Sequence, residues 1–275
     1  MEMSALILII LSENSIGINM KLFLILLFGS TVLFSQTELS DHQQIPEILT
    51  DRPDITESAI VVTPGYFQFE DGFLLENQTT TRNYTYSSLL TRIGLINNLE
   101  LRLGGDYLYQ VVKINDIRTN NSGFNNILIG AKYQFMNEDY NGVDLGLILQ
   151  FYLPVGNQLL RPKNVEPEIL LASGKSFTDV LSLSANIGSH WDSIDNIPVF
   201  LYSESFGINI SHNLDSFVEI YGDASSKEPA NISFDFGLAY RPVNNFQIDV
   251  SAGNESFSNF NSWFVGLGIS VRIHN

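Results

Sequence analysis

From Gly65 to the C-terminus, apolar and polar residues alternate with a period of two, in runs separated by turn-forming residues. Asn98–Val111 places Leu99, Leu101, Leu103, Gly105, Tyr107, Tyr109 and Val111 on one face, with Glu100, Arg102, Gly104, Asp106, Leu108 and Gln110 on the other. The last segment sets Trp263, Val265, Leu267, Ile269, Val271 and Ile273 against Phe264, Gly266, Gly268, Ser270 and Arg272. Ile232–Arg241, Leu145–Leu153 and Leu181–His190 repeat the period. Successive side chains of a strand point to opposite faces, so each run reads as a strand with one apolar and one polar side. Counted along the chain, the runs predict an all-β fold, a transmembrane antiparallel β-barrel of about 12 strands.

A soluble sandwich also alternates, but its outward faces carry ordinary surface charge rich in lysine. Here the polar faces are mild, built largely from Gly, Ser, Asn and Gln, as suits a water-containing lumen, and aromatic residues recur near strand ends where membrane-interface girdles belong. Short turns at Ile96–Asn98, Ser211–Leu214 and Pro242–Asn245 contrast with longer polar loops expected at Lys113–Gly123, Val155–Asn164, Trp191–Pro198 and Ser225–Asn231. Val199–Ile210 is irregular: Glu204 shares the parity of Phe206, Ile208 and Ile210, which predicts a bulge or a shifted register there.

Ahead of the barrel, Leu22–Phe34 follows Met20-Lys21 and precedes Ser35-Gln36, the layout of a secretory signal. Residues 1–35 are therefore expected to be a signal peptide starting at Met20, residues 36–64 a plug-like segment, and residues 65–275 an outer-membrane β-barrel. Asp51, Arg52, Asp54 and Glu57 lie close together in the middle segment. They are expected either to fold back into the lumen against wall residues such as Glu70, Arg92, Glu100 and Arg102, or to sit in a free periplasmic tail.

Composition narrows the function. With 14 Lys+Arg against 30 Asp+Glu and a net charge of −16, the chain repels nucleic acid, so no nucleic-acid partner is expected. The absence of cysteine removes thiolate metal sites, cysteine nucleophiles and lipoprotein anchors. His190 has Ser189 beside it and Asp192 two residues on, but adjacent strand residues face opposite ways, so no nucleophile–base pair is expected and no enzyme activity is assigned. Asp192, Asp195 and Asn196, or Asn137-Glu138-Asp139, could attract a hard cation, yet none has the ligand spacing of a dedicated site; no metal and no cofactor are expected.

The run Thr50-Asp51-Arg52-Pro53-Asp54, then Thr56-Glu57-Ser58, then Val61-Val62-Thr63-Pro64-Gly65 leading into Gln68-Phe69-Glu70, resembles the N-terminal signature of the family known as putative MetA-pathway of phenol degradation. Leu90-Thr91-Arg92-Ile93-Gly94-Leu95 and Glu100-Leu101-Arg102-Leu103 are similar to that family's second and third strands. The resemblance implies an outer-membrane, transporter-like channel, associated in some members with uptake of aromatic compounds. One departure is the ending Ile273-His274-Asn275, where many such barrels close on an aromatic residue.

The expected function is an outer-membrane channel or transporter for small solutes, aromatic compounds included, in a Gram-negative bacterium. Its expected partners are outer-membrane lipid, a small-molecule solute and the outer-membrane assembly machinery. A lipid-acting outer-membrane enzyme and a sealed structural or adhesive barrel remain alternatives. The solute path is expected to involve Tyr84, Tyr86, Arg92, Glu100, Arg102, Asp106, Lys132, Asp144 and Gln150, with Asp51, Arg52, Asp54 and Glu57 on the plug.

Overall fold

The computed structural model describes residues 47–256 and 262–274. The expected signal peptide, and residues 36–46 of the segment that follows it, lie outside the described residues. The strands are β1 (Tyr66–Asn77), β2 (Thr81–Ile96), β3 (Leu99–Ile114), β4 (Ile117–Met136), β5 (Asp144–Leu153), β6 (Glu166–Ser176), β7 (Leu181–Trp191), β8 (Pro198–Ser211), β9 (Leu214–Ala224), β10 (Asn231–Val243), β11 (Phe246–Asn254) and β12 (Trp263–His274). Among the described residues one short helix, α1 (Glu138–Asn141), sits in the β4–β5 connection, capped by the Asn137 side chain. Each strand pairs antiparallel with its sequence neighbours. β1 pairs β12 from Tyr66↔His274 to Asn77↔Trp263, which closes a 12-strand transmembrane barrel, as the alternation predicts.

Burial is inverted relative to a water-soluble protein. Leu149, Val265, Leu267 and Ile269 lie exposed on the outer wall, while Arg92, Glu100, Arg102 and Lys132 are buried inside. Such a surface is stable against hydrocarbon, and closure leaves no strand edge with unpaired backbone groups. Among the described residues, Glu47 and His274 lie at one rim, here the terminal end, with the short turns after β2, β8 and β10; the longer connections after β5, β7 and β9 lie at the opposite rim, the loop end.

Two local expectations need correction. Lys113–Gly123 is not a loop, because β3 and β4 run on to a tight turn at Asn115 and Asp116, with φ of 48° and 63°. Positive φ at both central residues is the twist-matched hairpin geometry that asparagine and aspartate tolerate, so polar strand tips mimic a loop in sequence. At Glu204 there is no bulge: it pairs with Ala185 and Ile220 in continuous register and points outward, because Ser203 and Ser205 take the inward positions of β8. The register shift in that hairpin lies further on, between Asn209 and Ser211.

Residues 47–64 enter the barrel from the terminal end, reach into the lumen and return to start β1. At the entry, the Ile48 N–H donates to the Asn244 carbonyl at 2.7 Å, and Glu47 pairs with Arg241. At the return, the Val62 N–H donates to Glu100 Oε2 at 2.8 Å. Two glycines make room. A Cβ on Gly146 would lie 2.7 Å from the Ala59 carbonyl oxygen, and one on Gly94 would collide with the carbonyls of Val62 and Thr63. Ala59 is also the point where the segment joins the apolar patch of Ile148, Leu170 and Ala172 on β5 and β6.

Candidate functional site

The lumen has two unlike walls. On β1 to β4, inward parity brings Glu70, Arg92, Glu100, Arg102 and Lys132 together, and the inserted segment adds Asp51 and Glu57. Arg92 Nε lies 2.9 Å from Glu100 Oε1, and its Nη1 lies 3.1 Å from Glu70 and 3.2 Å from Asp51. Arg102 reaches Asp51 through Nη1 and Glu57 through Nη2, both at 2.6 Å. Lys132 Nζ sits 2.9 Å from both Asp51 oxygens. Burial by itself raises the Asp51 carboxyl, but Arg92, Lys132 and Arg102 outweigh it and hold the group well below the usual carboxylate range.

The same wall satisfies the segment's backbone. Glu70 accepts from the Asp51 N–H at 2.9 Å, Arg92 donates to the carbonyls of Leu49 and Ile60, and Gln68 donates to the Leu49 carbonyl at 2.8 Å. Buried polar backbone in a lumen needs such partners, since an unmet group is costly away from water.

The opposite wall, β7 to β11, is lined by serines and acids. Glu219 accepts from the Ile55 N–H at 2.8 Å and the Thr56 N–H at 2.7 Å, and also from the Thr56 hydroxyl. Asn186 brackets Glu57, accepting from its N–H at 2.7 Å and donating to its carbonyl at 2.9 Å. Arg52 pairs with Asp249 at 3.2 Å. Asp54 faces this acidic side, where burial first, and then the neighbouring Glu219 carboxylate, push its carboxyl well above the usual range.

Two cavities remain around the segment. One of about 850 Å³ lies toward the loop end and one of about 210 Å³ toward the terminal end, and Arg52, Pro53 and Asp54 line both. On β8, Ser203 lines the larger cavity and Ser205 the smaller. These are consecutive inward positions, so the partition there is about 7 Å thick at two residues of strand rise.

Most of the residues expected on the solute path do point inward. Arg92, Glu100, Arg102 and Lys132 form the ionic wall, and Asp106 lines the larger cavity. Gln150 donates to Glu168 at 2.6 Å, and Asp144 closes the terminal end of β5, accepting from Gln134 and from the Glu138 N–H at 2.9 Å each. Asp51, Arg52, Asp54 and Glu57 all stand inside the barrel, although Arg52 reaches Asp249 instead of the β1–β3 acids. Tyr84 and Tyr86 are the exceptions: both lie on the outer face, Tyr84 against Tyr109 and Tyr86 against Phe73. Tyr86 is the extra residue of a β2 bulge between Thr85 and Ser87, which reverses parity and turns Asn83 and Thr85 inward instead.

Glu168, Glu219, Asp235 and Asp249 were not singled out from sequence. Their signal was the polar parity of their strands, which marks a face without ranking its members. Ser189 points outward and His190 inward toward Glu166 at 3.4 Å, so the two do not meet. Asp192 accepts from the Ile194 and Asp195 N–H groups of its own turn, which lowers its carboxyl.

Among solved structures, an outer-membrane channel from Pseudomonas putida F1 is similar with a TM-score of 0.60 at 10% identity, over 78% of this chain and 98% of that one. KdgM porin is similar with a TM-score of 0.52 at 15% identity, over 74% of this chain and 99% of its own. NanC porin gives 0.53 at 7% identity, over 74% and 100%. At these identities the likeness is one of fold. None of the curated proteins matches the chain in sequence. The family model described as putative MetA-pathway of phenol degradation matches residues 50–273, and the chain belongs to that family.

Proposed function

We propose that this protein is an outer-membrane channel for small solutes, aromatic compounds among them, and that residues 47–64 act as its plug. The observation that carries the reading is the pair of cavities divided by the Arg52–Asp54 turn: the lumen holds a cavity on either side of one short piece of chain. The porin and channel folds of its structural neighbours support it, as does membership of a family named for phenol degradation. With an even strand count, the terminal end faces the periplasm and the loop end the exterior. Aromatic cargo would meet Tyr152, Tyr221 and Phe264 around the larger cavity, in place of the expected Tyr84 and Tyr86.

The test is solute uptake into liposomes carrying the full-length protein, beside a variant with Asp51→Asn and Glu219→Gln. Those changes weaken the seat of the segment on both walls. Entry of small aromatic solutes that rises in the variant is the expected result. No entry in either protein would mean a sealed barrel.

A further inference from the structure

We propose that the outer wall of β2 to β4 carries, at the loop end, a binding site for the phosphates of a phosphorylated glycolipid in the outer leaflet, held by Arg82, Lys113 and Arg118. The site takes from the channel reading only that the loop end faces the exterior, and none of its residues lies on the solute path.

Strand parity brings the three bases together. Asn83, Thr85 and Leu108 line the larger cavity, so Arg82 and Tyr84 on β2, and Tyr109, Val111 and Lys113 on β3, turn outward. Lys113 and Arg118 are direct cross-strand partners, and Arg82 pairs with Val111, two residues from Lys113 on the same face. Direct partners stand about 5 Å apart and diagonal ones about 7–8 Å, so side chains of this length can converge on one group. Asn120, the partner of Val111 on β4, adds an amide to the same face.

Their height matches a lipid headgroup. On the membrane side of the bases, Tyr84 and Tyr109 lie with ring centroids 6.0 Å apart, and Tyr107 and Phe124 5.4 Å apart. Rings on the outside of a barrel mark the boundary between hydrocarbon and headgroups, and lysine and arginine extend from there into the headgroup layer. Arg82 is one outward position beyond Tyr84, and Lys113 two beyond Tyr109. The outward loop-end positions of β5 to β8 are Leu153, Pro167, Trp191 and Pro198, and none of them is charged.

The protein leaves these charges largely uncompensated. Like charges directly opposite each other repel, and Arg118 has no ion pair among the described residues. Arg82 donates from Nε and Nη2 to Asn77 Oδ1 at 3.0 and 2.7 Å, which orients the guanidinium without neutralising it. Lys113 lies 3.2 Å from Asp116, but both side chains are exposed and such a pair is weak. The chain as a whole, at −16, repels an anionic leaflet, so contact with one is attractive where cations stand free. A phosphate monoester carries nearly two charges and three acceptor oxygens, which suits two guanidinium forks and an ammonium. A phosphodiester headgroup offers a single charge.

The experiment measures lipid binding to the full-length protein in detergent by native mass spectrometry. The probes are lipid A with both phosphates, dephosphorylated lipid A, phosphatidylglycerol and inorganic phosphate. The variants are Arg118→Gln, the triple change Arg82→Gln, Lys113→Gln and Arg118→Gln, and Lys227→Gln, a loop cation paired with Asp195. Phosphorylated lipid A is expected to bind tightest, with affinity falling about fivefold for each cation removed and roughly 100-fold in the triple variant, while Lys227→Gln binds as the parent does. Equal binding of dephosphorylated lipid A, equal binding by the triple variant, or an equal loss in Lys227→Gln overturns the site. Phosphatidylglycerol bound as tightly as lipid A, or lipid A displaced by equimolar inorganic phosphate, overturns its assignment to a glycolipid. Arg118→Gln keeps the test open if the triple variant fails to fold. Solute uptake into liposomes should be the same in parent and variants, so failure of this site is read separately from failure of the channel.

Discussion

Asp51 is the residue on which three buried bases converge, and its replacement tests how the inserted segment is held. Asp51→Asn takes from Lys132 its shortest acidic contact and from Arg102 one of its two at 2.6 Å. Removing one member of a buried ion pair costs about 3–5 kcal/mol, and here most of that cost falls on seating of the segment, since the bases keep Glu100 and, for Arg102, Glu57. Protease accessibility of residues 47–64 should rise in Asp51→Asn while the barrel stays folded; an unchanged cleavage rate would show that the ionic wall does not seat the segment. Asp54 gives the seat a pH dependence of definite sign. An acid whose value is raised in the seated state binds its proton more tightly there. Seating is therefore favoured in acid and weakened as pH rises through that raised value. Asp51, held low, keeps its charge across the same range, while Glu219 and Asp235 face Asp54 from β9 and β10 and its own segment contributes Arg52. Conductance should accordingly increase on the alkaline side of the ordinary carboxylate range, and Asp54→Asn should flatten the profile.

At the scale of single elements, β2 shows how one residue redirects a face. Alternation counted back from Arg92 through Leu90 and Ser88 assigns Tyr86 and Tyr84 to the lumen; the bulge at Tyr86 sends both to the outer wall. Tyr86→Ala should leave solute uptake unchanged and lower the thermal midpoint of the barrel, because Tyr86 contributes outer-face contact with Phe73. A large change in uptake with an unchanged midpoint would place the ring in the path after all. β5 and the segment are matched at Gly146, where the chain at Ala59 lies against the strand backbone. Gly146→Leu should displace residues near Ala59 and raise uptake, as Asp51→Asn does, but through bulk instead of charge. The ionic and serine walls were both present in the alternation. What alternation does not carry is height in the barrel, so Glu219 and Asp235 read as two more polar-face residues until cross-strand register set them side by side.

For the whole molecule, the inverted burial makes opposite predictions for the two faces. Leu149→Arg, near the middle of outward β5, should cost about 2–4 kcal/mol of stability in a bilayer, read as a lower denaturant midpoint. Ser184→Arg, on the lumen side of β7, should leave that midpoint little changed and reduce uptake by filling the smaller cavity. Equal effects on stability would contradict the assignment of faces. Strand number, antiparallel order, the outward apolar face and the family were legible in the sequence, because a period of two is local and each strand carries it independently. The residues of the ionic wall were legible for the same reason, with Arg92, Glu100, Arg102 and Lys132 falling on inward parity. Closure of β1 on β12, the bulge that turned Tyr84 and Tyr86 outward, the course of residues 47–64 between two cavities and the meeting of Asp54, Glu219 and Asp235 were decided by tertiary structure. Those features depend on register between strands and on contacts spanning up to 225 residues among the described ones, as between Glu47 and Arg272, and no local pattern encodes such distances.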